Sequence, residues 1–484
     1  MLPMPKCSRR DKTKERVNKS AMSQSTSAES NGKQLVQGIT GISVSGYKSL
    51  YDECSIEVRP LTILAGANSS GKSSIMQPLL LMKQTLDATY DPGALLLYGP
   101  NVRFTSVQQF LSTISNKNVV DSFSVTIEIQ KSFSVKNTFQ RQPKKGINLI
   151  AMDYIDFVFT NENTNLIPEM RQEEIISALP EWLVHNYQIT TRQQAEIGKI
   201  QGIEYEYKAD TLDWAIRRNR CFLEVAITVN KQLMQTYSPG FYCVPDIVSL
   251  IHIPGLRVNP ERNYKITATG HNFPGIFEDY IASVINQWQE SRDERLRDLG
   301  KALEALGLTW KVEARQLNDI QIELLVGRMP RSGEGKDMVS IADVGIGVSQ
   351  ALPVLVALLV AKAGQLVYLE QPEIHLHPRA QVGLAEVLAN AANRGVRVVL
   401  ETHSELLLLA VQSLVAEGKL SPDKVKLHWF TRGEDGVTKV SSAELDEAGA
   451  FGDWPEDFGD VSMKLESRYL DAAESRLWKR SHGG

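Results

Sequence analysis

One stretch of eight residues, Gly66-Ala-Asn-Ser-Ser-Gly71-Lys72-Ser73, restricts the folds open to this 484-residue chain more than any other. It fits the pattern GxxxxGK[ST]. An apolar run, Leu61 to Ala65, enters it, and an apolar-periodic run from Lys72 to about Leu86 leaves it. The spacing suits a phosphate cradle. Gly66 and Gly71 let the backbone curl so that several N–H groups point inward, with Asn68, Ser69 and Ser70 between them. The helix that begins at Lys72, Ser73 and Ser74 adds the positive end of its dipole. Lys72 is expected to reach the β and γ phosphates of a nucleotide, and the Ser73 hydroxyl to sit on Mg²⁺. Further apolar strand runs, each followed by a helical pattern, predict an α/β fold with a mostly parallel sheet.

Three later segments narrow the reading. Asp343-Val-Gly345-Ile-Gly347-Val-Ser349-Gln350 leads into an apolar helix. Its small residues would let backbone amides, with Gly347, Ser349 and Gln350, approach a phosphate at a helix start. Leu366-Val-Tyr-Leu-Glu370-Gln371-Pro372-Glu373 is an apolar strand ending in carboxylate. Hard oxygen ligands suit Mg²⁺, so Glu370 is expected as the metal-side acid, acting through water. Val398-Val-Leu-Glu401-Thr402-His403-Ser404 places His403 at the end of the next apolar strand, within reach of a γ-phosphate. Glu370 follows Ser349 by 21 residues, and His403 follows Glu370 by 33.

This order of motifs resembles the ABC-type ATPase superfamily. It is most similar to bacterial AAA-like ATPases related to the overcoming-lysogenization-defect (OLD) family, and more distantly to recombination and chromosome-maintenance ATPases. The matching segments are Ile39 to Lys48 with Leu61 to Ser74, Ile253-Pro-Gly-Leu-Arg257, Val344 to Pro353, Tyr368 to Pro378 and Glu401 to Glu405. The resemblance covers about residues 38–110 and 250–460. The segment from Ala450 through Trp454 to Phe458 resembles a C-terminal module often fused to such ATPases.

The resemblance implies a P-loop ATPase head with a mixed or parallel sheet and an inserted lobe, using ATP and Mg²⁺. In this superfamily two heads sandwich two ATP molecules. Ser349 of one head would contact the γ-phosphate held by Lys72 of the other, which implies a homodimer or larger when nucleotide is bound. One departure stands out. The superfamily's acidic pair is Asp-Glu, and here it reads Glu370-Gln371. A glutamine can orient water but is a poor proton acceptor. Glu373 is then expected to supply the base for a slow hydrolysis, with a hydrolysis-dead nucleotide clamp as the alternative. His375 and His377 are placed toward the partner head, and His403 acts as a phosphate sensor. Arg257 could face phosphate or pair with an acid.

Composition bounds the rest. With 42% hydrophobic and 23% charged residues, the chain is an ordinary globular one with length for about three domain-sized units. Residues 1–34 carry eight Lys/Arg against three acids, a net of +5, and read as a disordered basic tail. The total is −4, which leaves −9 for the remainder and does not indicate a generally basic nucleic-acid binder. The expected organisation is then 35–110 as the N-terminal half of the head and 111–330 as an inserted lobe. Residues 331–440 form the C-terminal half, and 441–484 a Trp-Pro segment and helix. The insert shows no sustained heptads, so a compact lobe is expected. Cys7, Cys54, Cys221 and Cys243 show no CxxC spacing, and a reducing cytoplasm fits. The most apolar run, Ala351 to Ala361, is too short to span a membrane.

OLD-family relatives often carry a nuclease after the ATPase core. The 81 residues beyond His403 contain no apolar strand ending in an Asp-x-Asp pair. The expectation is an ATP-binding, slowly hydrolysing sensor or switch for a separate effector protein, with antiphage defence as a role by analogy. The alternatives are a DNA-binding ATPase clamp in repair or recombination and a non-hydrolysing nucleotide-binding scaffold.

Overall fold

The apolar runs on either side of the nucleotide motifs lie next to one another in a single sheet. A computed structural model describes residues 38–113, 120–143, 146–189, 212–229, 231–257, 259–270, 272–328, 337–452 and 467–474. The basic tail and the Trp454–Phe458 segment lie outside the described residues. The central sheet has six strands in the order Ile251–Ile253, Leu366–Glu370, Arg397–Glu401, Leu61–Gly66, Val425–Arg432, Thr438–Ala443. Its first five strands run parallel, and the last returns as an antiparallel hairpin. Parallel neighbours need crossover connections. These include the phosphate-loop helix Lys72–Asp87, the signature helix Ile346–Val360, and the helices Pro378–Asn393 and Glu405–Ala416. Covered on both faces, the strands read as continuous apolar runs.

Alternation along the strands divides them between two cores. Leu61, Ile63, Val367, Leu369, Val398 and Leu400 face a core shared with the signature helix. Leu64, Leu366, Tyr368 and Val399 face a second core shared with the phosphate-loop helix. By the same period of two, Glu370 and Glu401 project on the second face, and they stand side by side in the strand register. The signature helix is buried almost all round from Ala351 to Leu358, as a helix apolar on every face must be.

The stretch 111–330, expected as one inserted lobe, is distributed over several places. Ser122–Ile129 pairs along Ile39–Ser45, and with Cys54–Glu57, Phe133–Gln142, Gly146–Asp156 and Asn163–Leu166 it builds an antiparallel six-stranded sheet over the second core. A boundary near residue 110 therefore cuts through one sheet. Leu212–Asn219, Phe222–Val229 and Gln232–Tyr237 form a three-stranded sheet packed into that core. Ile251–Ile253 is a strand of the central sheet itself. The helices Ile281–Ser291 and Glu294–Ala305 and a four-stranded sheet, 264–340, add to the first core. Alternating polarity identifies a strand but not its partner, which is why sequence spacing suggested a separate lobe. Among the described residues no helix is long and apolar enough to cross a membrane.

Candidate functional site

The cradle forms where the strand Leu61–Gly66 ends. Gly66 and Gly71 adopt φ of +137° and +104°. A Cβ at Gly66 would lie 2.3 Å from the carbonyl oxygen of Phe430, and one at Gly71 would lie 2.8 Å from Oγ1 of Thr438. Both positions therefore need glycine for conformation and for space. The Thr438 hydroxyl donates to the Ser70 carbonyl at 2.7 Å, fixing the loop to the edge hairpin. Lys72 folds back on its own loop and donates to the carbonyls of Gly66 (2.9 Å) and Ala67 (2.7 Å). Burial draws its pKa below the ordinary lysine value. Ser70 keeps a buried hydroxyl without a hydrogen-bond partner. Asn68 and Ser69 are exposed at the loop tip, and Ser74 is buried in the first helical turn.

A cavity of about 570 Å³ opens over this loop, within the range of small-molecule sites. Besides loop residues 68–74 it is lined by Lys48, Gln77, Gln371, Glu401, His403 and Arg432. Burial and the charge of Lys72 lower the His403 pKa, which favours the neutral imidazole. Gln371 sits at the mouth with φ +44°, and its N–H donates to the Glu401 carbonyl at 2.9 Å.

The acids do not all stand where the sequence suggests. Glu370 is bonded through Oε1 to His252 Nε2 at 3.0 Å, and Oε2 accepts from the Gly255 N–H at 3.1 Å. Burial alone would raise its pKa, but the bond and charge of His252 hold it below the usual carboxylate value. His252 in turn stacks on Tyr368, with ring centroids 5.2 Å apart. Glu401 is the carboxylate that meets the phosphate loop. Its Oε2 accepts from Ser73 Oγ at 2.8 Å, and its Oε1 accepts from the Tyr368 hydroxyl. Burial pushes its pKa up to about 7 against the two hydroxyls that favour the anion. Sequence reasoning assigned no role to Glu401, Tyr368 or His252. Glu401 carried the same signal as Glu370, since each closes an apolar strand with a carboxylate.

Glu373, expected as a base, is not part of the loop cavity. It is buried, and its Oε1 accepts from the Thr402 hydroxyl (2.7 Å) and from the His403 N–H (3.0 Å). Its Oε2 has no hydrogen-bond partner. It borders an adjoining cavity of about 710 Å³ together with Asn68, Gln371, His375 and His403. His375 and His377 are exposed, and His377 Nδ1 accepts from the Arg379 N–H to cap the helix Pro378–Asn393. Among the described residues no group of three or more His, Cys, Asp or Glu is arranged to hold a metal. A metal at the loop would therefore draw ligands from Ser73, one or two carboxylates, phosphate and water, the usual set for Mg²⁺. The Ser73–carboxylate contact and the orphaned Ser70 hydroxyl fit that set.

Gly347, Ser349 and Gln350 are not brought to the cradle within one chain. The helix opens at Gly345 with Ile346 exposed. Ser349 is buried, and its hydroxyl donates to the Ile346 carbonyl at 2.9 Å. Arg257, left open by sequence, turns its guanidinium to backbone carbonyls. It is buried and donates to the carbonyls of Gln350 (3.3 Å), Glu370 (3.2 Å) and Gln371 (3.2 Å), tying the signature helix to the end of the acid strand.

Among the solved structures that resemble the chain are three heads of SMC proteins. The SMC head bound to the C-winged helix domain of ScpA is 13% identical, with 85% of this chain and 99% of that one covered and a TM-score of 0.43. The SMC head domain from Thermotoga maritima is 12% identical, covering 84% and 100%, at 0.37. The Pyrococcus furiosus SMC head with an extended coiled coil, bound to the C-terminal domain of ScpA, is 11% identical, covering 90% and 99%, at 0.39. No curated protein matches the chain. Residues 61–410, from the strand before the cradle to the helix after His403, match the model of one family, and the chain belongs to it: "AAA domain, putative AbiEii toxin, Type IV TA system".

Proposed function

We propose that the chain binds ATP with Mg²⁺ in the cradle, hydrolyses it slowly, and uses the nucleotide to gate a pair of heads that control a separate effector in antiphage defence. One observation carries this reading. A single chain holds a complete phosphate cradle, yet its signature helix starts elsewhere, and residues 345–350 line no part of the cradle cavity. A second copy would bring Ser349 to the γ-phosphate, as the family resemblance implies. ATP would then favour the closed pair, and hydrolysis would open it. The family's printed description includes a toxin–antitoxin system, which supports control of an effector in a defence module. A cytoplasmic location goes with the reading, and Cys54, Cys221 and Cys243 are free and buried.

Each residue has a part in this scheme. Lys72 exchanges its two carbonyl partners for phosphate oxygens, and the loop N–H groups cradle the same charge. Bound Mg²⁺ supplies further neutralisation of the β and γ phosphates, with Ser73 as its ligand from the loop. Gln371 orients the attacking water without taking its proton, which would pass to a γ-phosphate oxygen, and turnover is slow for that reason. Glu373 positions His403 through the bond to its N–H. His403 contacts the γ-phosphate as a neutral donor.

The test is phosphate release beside sedimentation, with and without ATP. Turnover together with ATP-dependent dimerisation supports the cycling switch. Dimerisation without turnover supports the second reading, a nucleotide-locked clamp, which Gln371 favours. Absence of nucleotide binding overturns both.

A further inference from the structure

We propose that Glu401, at the end of the strand carrying the Thr402-His403 loop, supplies the magnesium-side carboxylate of the cradle, and that Glu370 is held out of that role. This rests on the nucleotide-site reading above and replaces the acid that the motif order suggests.

Four observations converge. Ser73 is the loop hydroxyl placed for the metal, and the carboxylate it touches is that of Glu401, at 2.8 Å. The cradle cavity is lined by Glu401 and not by Glu370. Both oxygens of Glu370 are already engaged, one by His252 and the other by the Gly255 N–H. The fourth is the strand order. Arg397–Glu401 lies between Leu366–Glu370 and Leu61–Gly66. Glu401 is thus one strand spacing, about 4.8 Å, nearer the loop than its register partner Glu370.

The surroundings suit the role. Glu401 is 3% exposed, so its orientation is set by packing, and Tyr368, itself fully buried, donates its hydroxyl to the second oxygen. A ligand whose other oxygen is hydrogen-bonded is held in place before the metal arrives. Two hard oxygens, Ser73 Oγ and Glu401 Oε2, then stand together at the helix start where the β and γ phosphates would lie. Mg²⁺ needs no more from the protein, since phosphates and water complete its octahedron.

The experiment compares the full chain with Glu401→Gln and Glu370→Gln. Equilibrium binding of a non-hydrolysable fluorescent ATP analogue is measured in Mg²⁺ and in EDTA, and Mn²⁺ uptake is followed by its paramagnetic resonance signal. Wild type should bind more tightly with metal. Glu401→Gln should lose that gain, with Mn²⁺ affinity weakened about 10- to 100-fold, while its affinity in EDTA is kept. Glu370→Gln should keep the metal gain. The proposal is overturned if Glu401→Gln retains the gain, or if Glu370→Gln is the variant that loses it. Glu401→Asp guards against a folding defect. It keeps the charge with a shorter reach, and should show weakened Mn²⁺ affinity at unchanged affinity in EDTA. A metal gain equal to wild type in Glu401→Asp, with Glu401→Gln unfolded, also counts against the proposal. A wild type that binds no nucleotide in either buffer defeats the nucleotide-site reading instead, so the two failures are distinct.

Discussion

The cradle and the signature helix are built from similar parts and end in opposite conditions. Each is a small-residue turn opening a helix against the central sheet. In the cradle the turn is closed in by side chains from other strands: Thr438 from the edge hairpin, Glu401 from the neighbouring strand, and Lys72 folded onto its own carbonyls. At the signature helix Gly345 and Ile346 face outward, and Ser349 spends its hydroxyl on its own first turn. One end is furnished by its own chain, whereas the other opens its helix on an exposed turn. The contrast suits the two-copy nucleotide sandwich proposed above, in which each copy would present a finished half-site and an exposed helix start.

The largest effect expected is at the finished end. Lys72→Ala removes a charged donor with two bonds to offer, each worth about 1.5–3 kcal/mol, and should weaken ATP binding roughly 10³-fold. The check is equilibrium binding at protein concentrations below dimerisation. Tight binding by the variant would break the cradle assignment. At the signature helix, Ser349→Ala should leave that monomer affinity alone and lower turnover about 100- to 1000-fold, as loss of one transition-state donor does. Equal losses in monomer binding and in turnover would erase the contrast between the two ends.

A pair of substitutions sharpens the role of Glu373. Glu373→Gln preserves an oxygen to accept from Thr402 and the His403 N–H, so most turnover should survive. Glu373→Ala should lower it about tenfold by freeing the loop, within the range for positioning losses. If the Gln variant is as slow as the Ala variant, Glu373 is the base and not a brace.

The smallest effect concerns how the cradle is supported. His428, on the strand beside the phosphate-loop strand, bonds to the Glu57 carbonyl and to Ser442. Burial lowers its pKa to about 4. An unfolded chain takes up that proton near the ordinary histidine value, so stability is full above about pH 6.5 and falls as pH drops toward 4. The loss should reach about 1–3 kcal/mol. Hydrogen exchange should show the strands beneath the cradle losing protection in that window before the signature helix does. A uniform loss would mean the two ends share one support.

Much of the fold was legible because it is written locally. The strand Leu61–Gly66 and the helix starting at Lys72 follow from an apolar run and an apolar period over a few residues. The long middle was not legible as architecture. Nothing in Phe123 to Ile129 says that it pairs with Ile39–Ser45, since hydrogen bonding between strands uses backbone groups that every residue carries. The site divides in the same way. Gly66, Gly71, Lys72 and Ser73 cooperate through adjacent backbone, and spacing alone reveals them. The contacts of Glu373 were not legible, because a proline turn indicates a change of direction without its destination, which here is the Thr402 hydroxyl and the His403 N–H.

The sequence by itself determined that a phosphate loop begins a helix here, that a glutamine stands beside the acid, and that two apolar strands end in carboxylates. Only the tertiary structure decided which carboxylate meets Ser73. That choice depends on lateral strand order and parallel register, which place Arg397–Glu401 between its neighbours and turn Glu401 and Glu370 to one face. Position across a sheet is set by which backbones pair, and no local spacing along the chain encodes it.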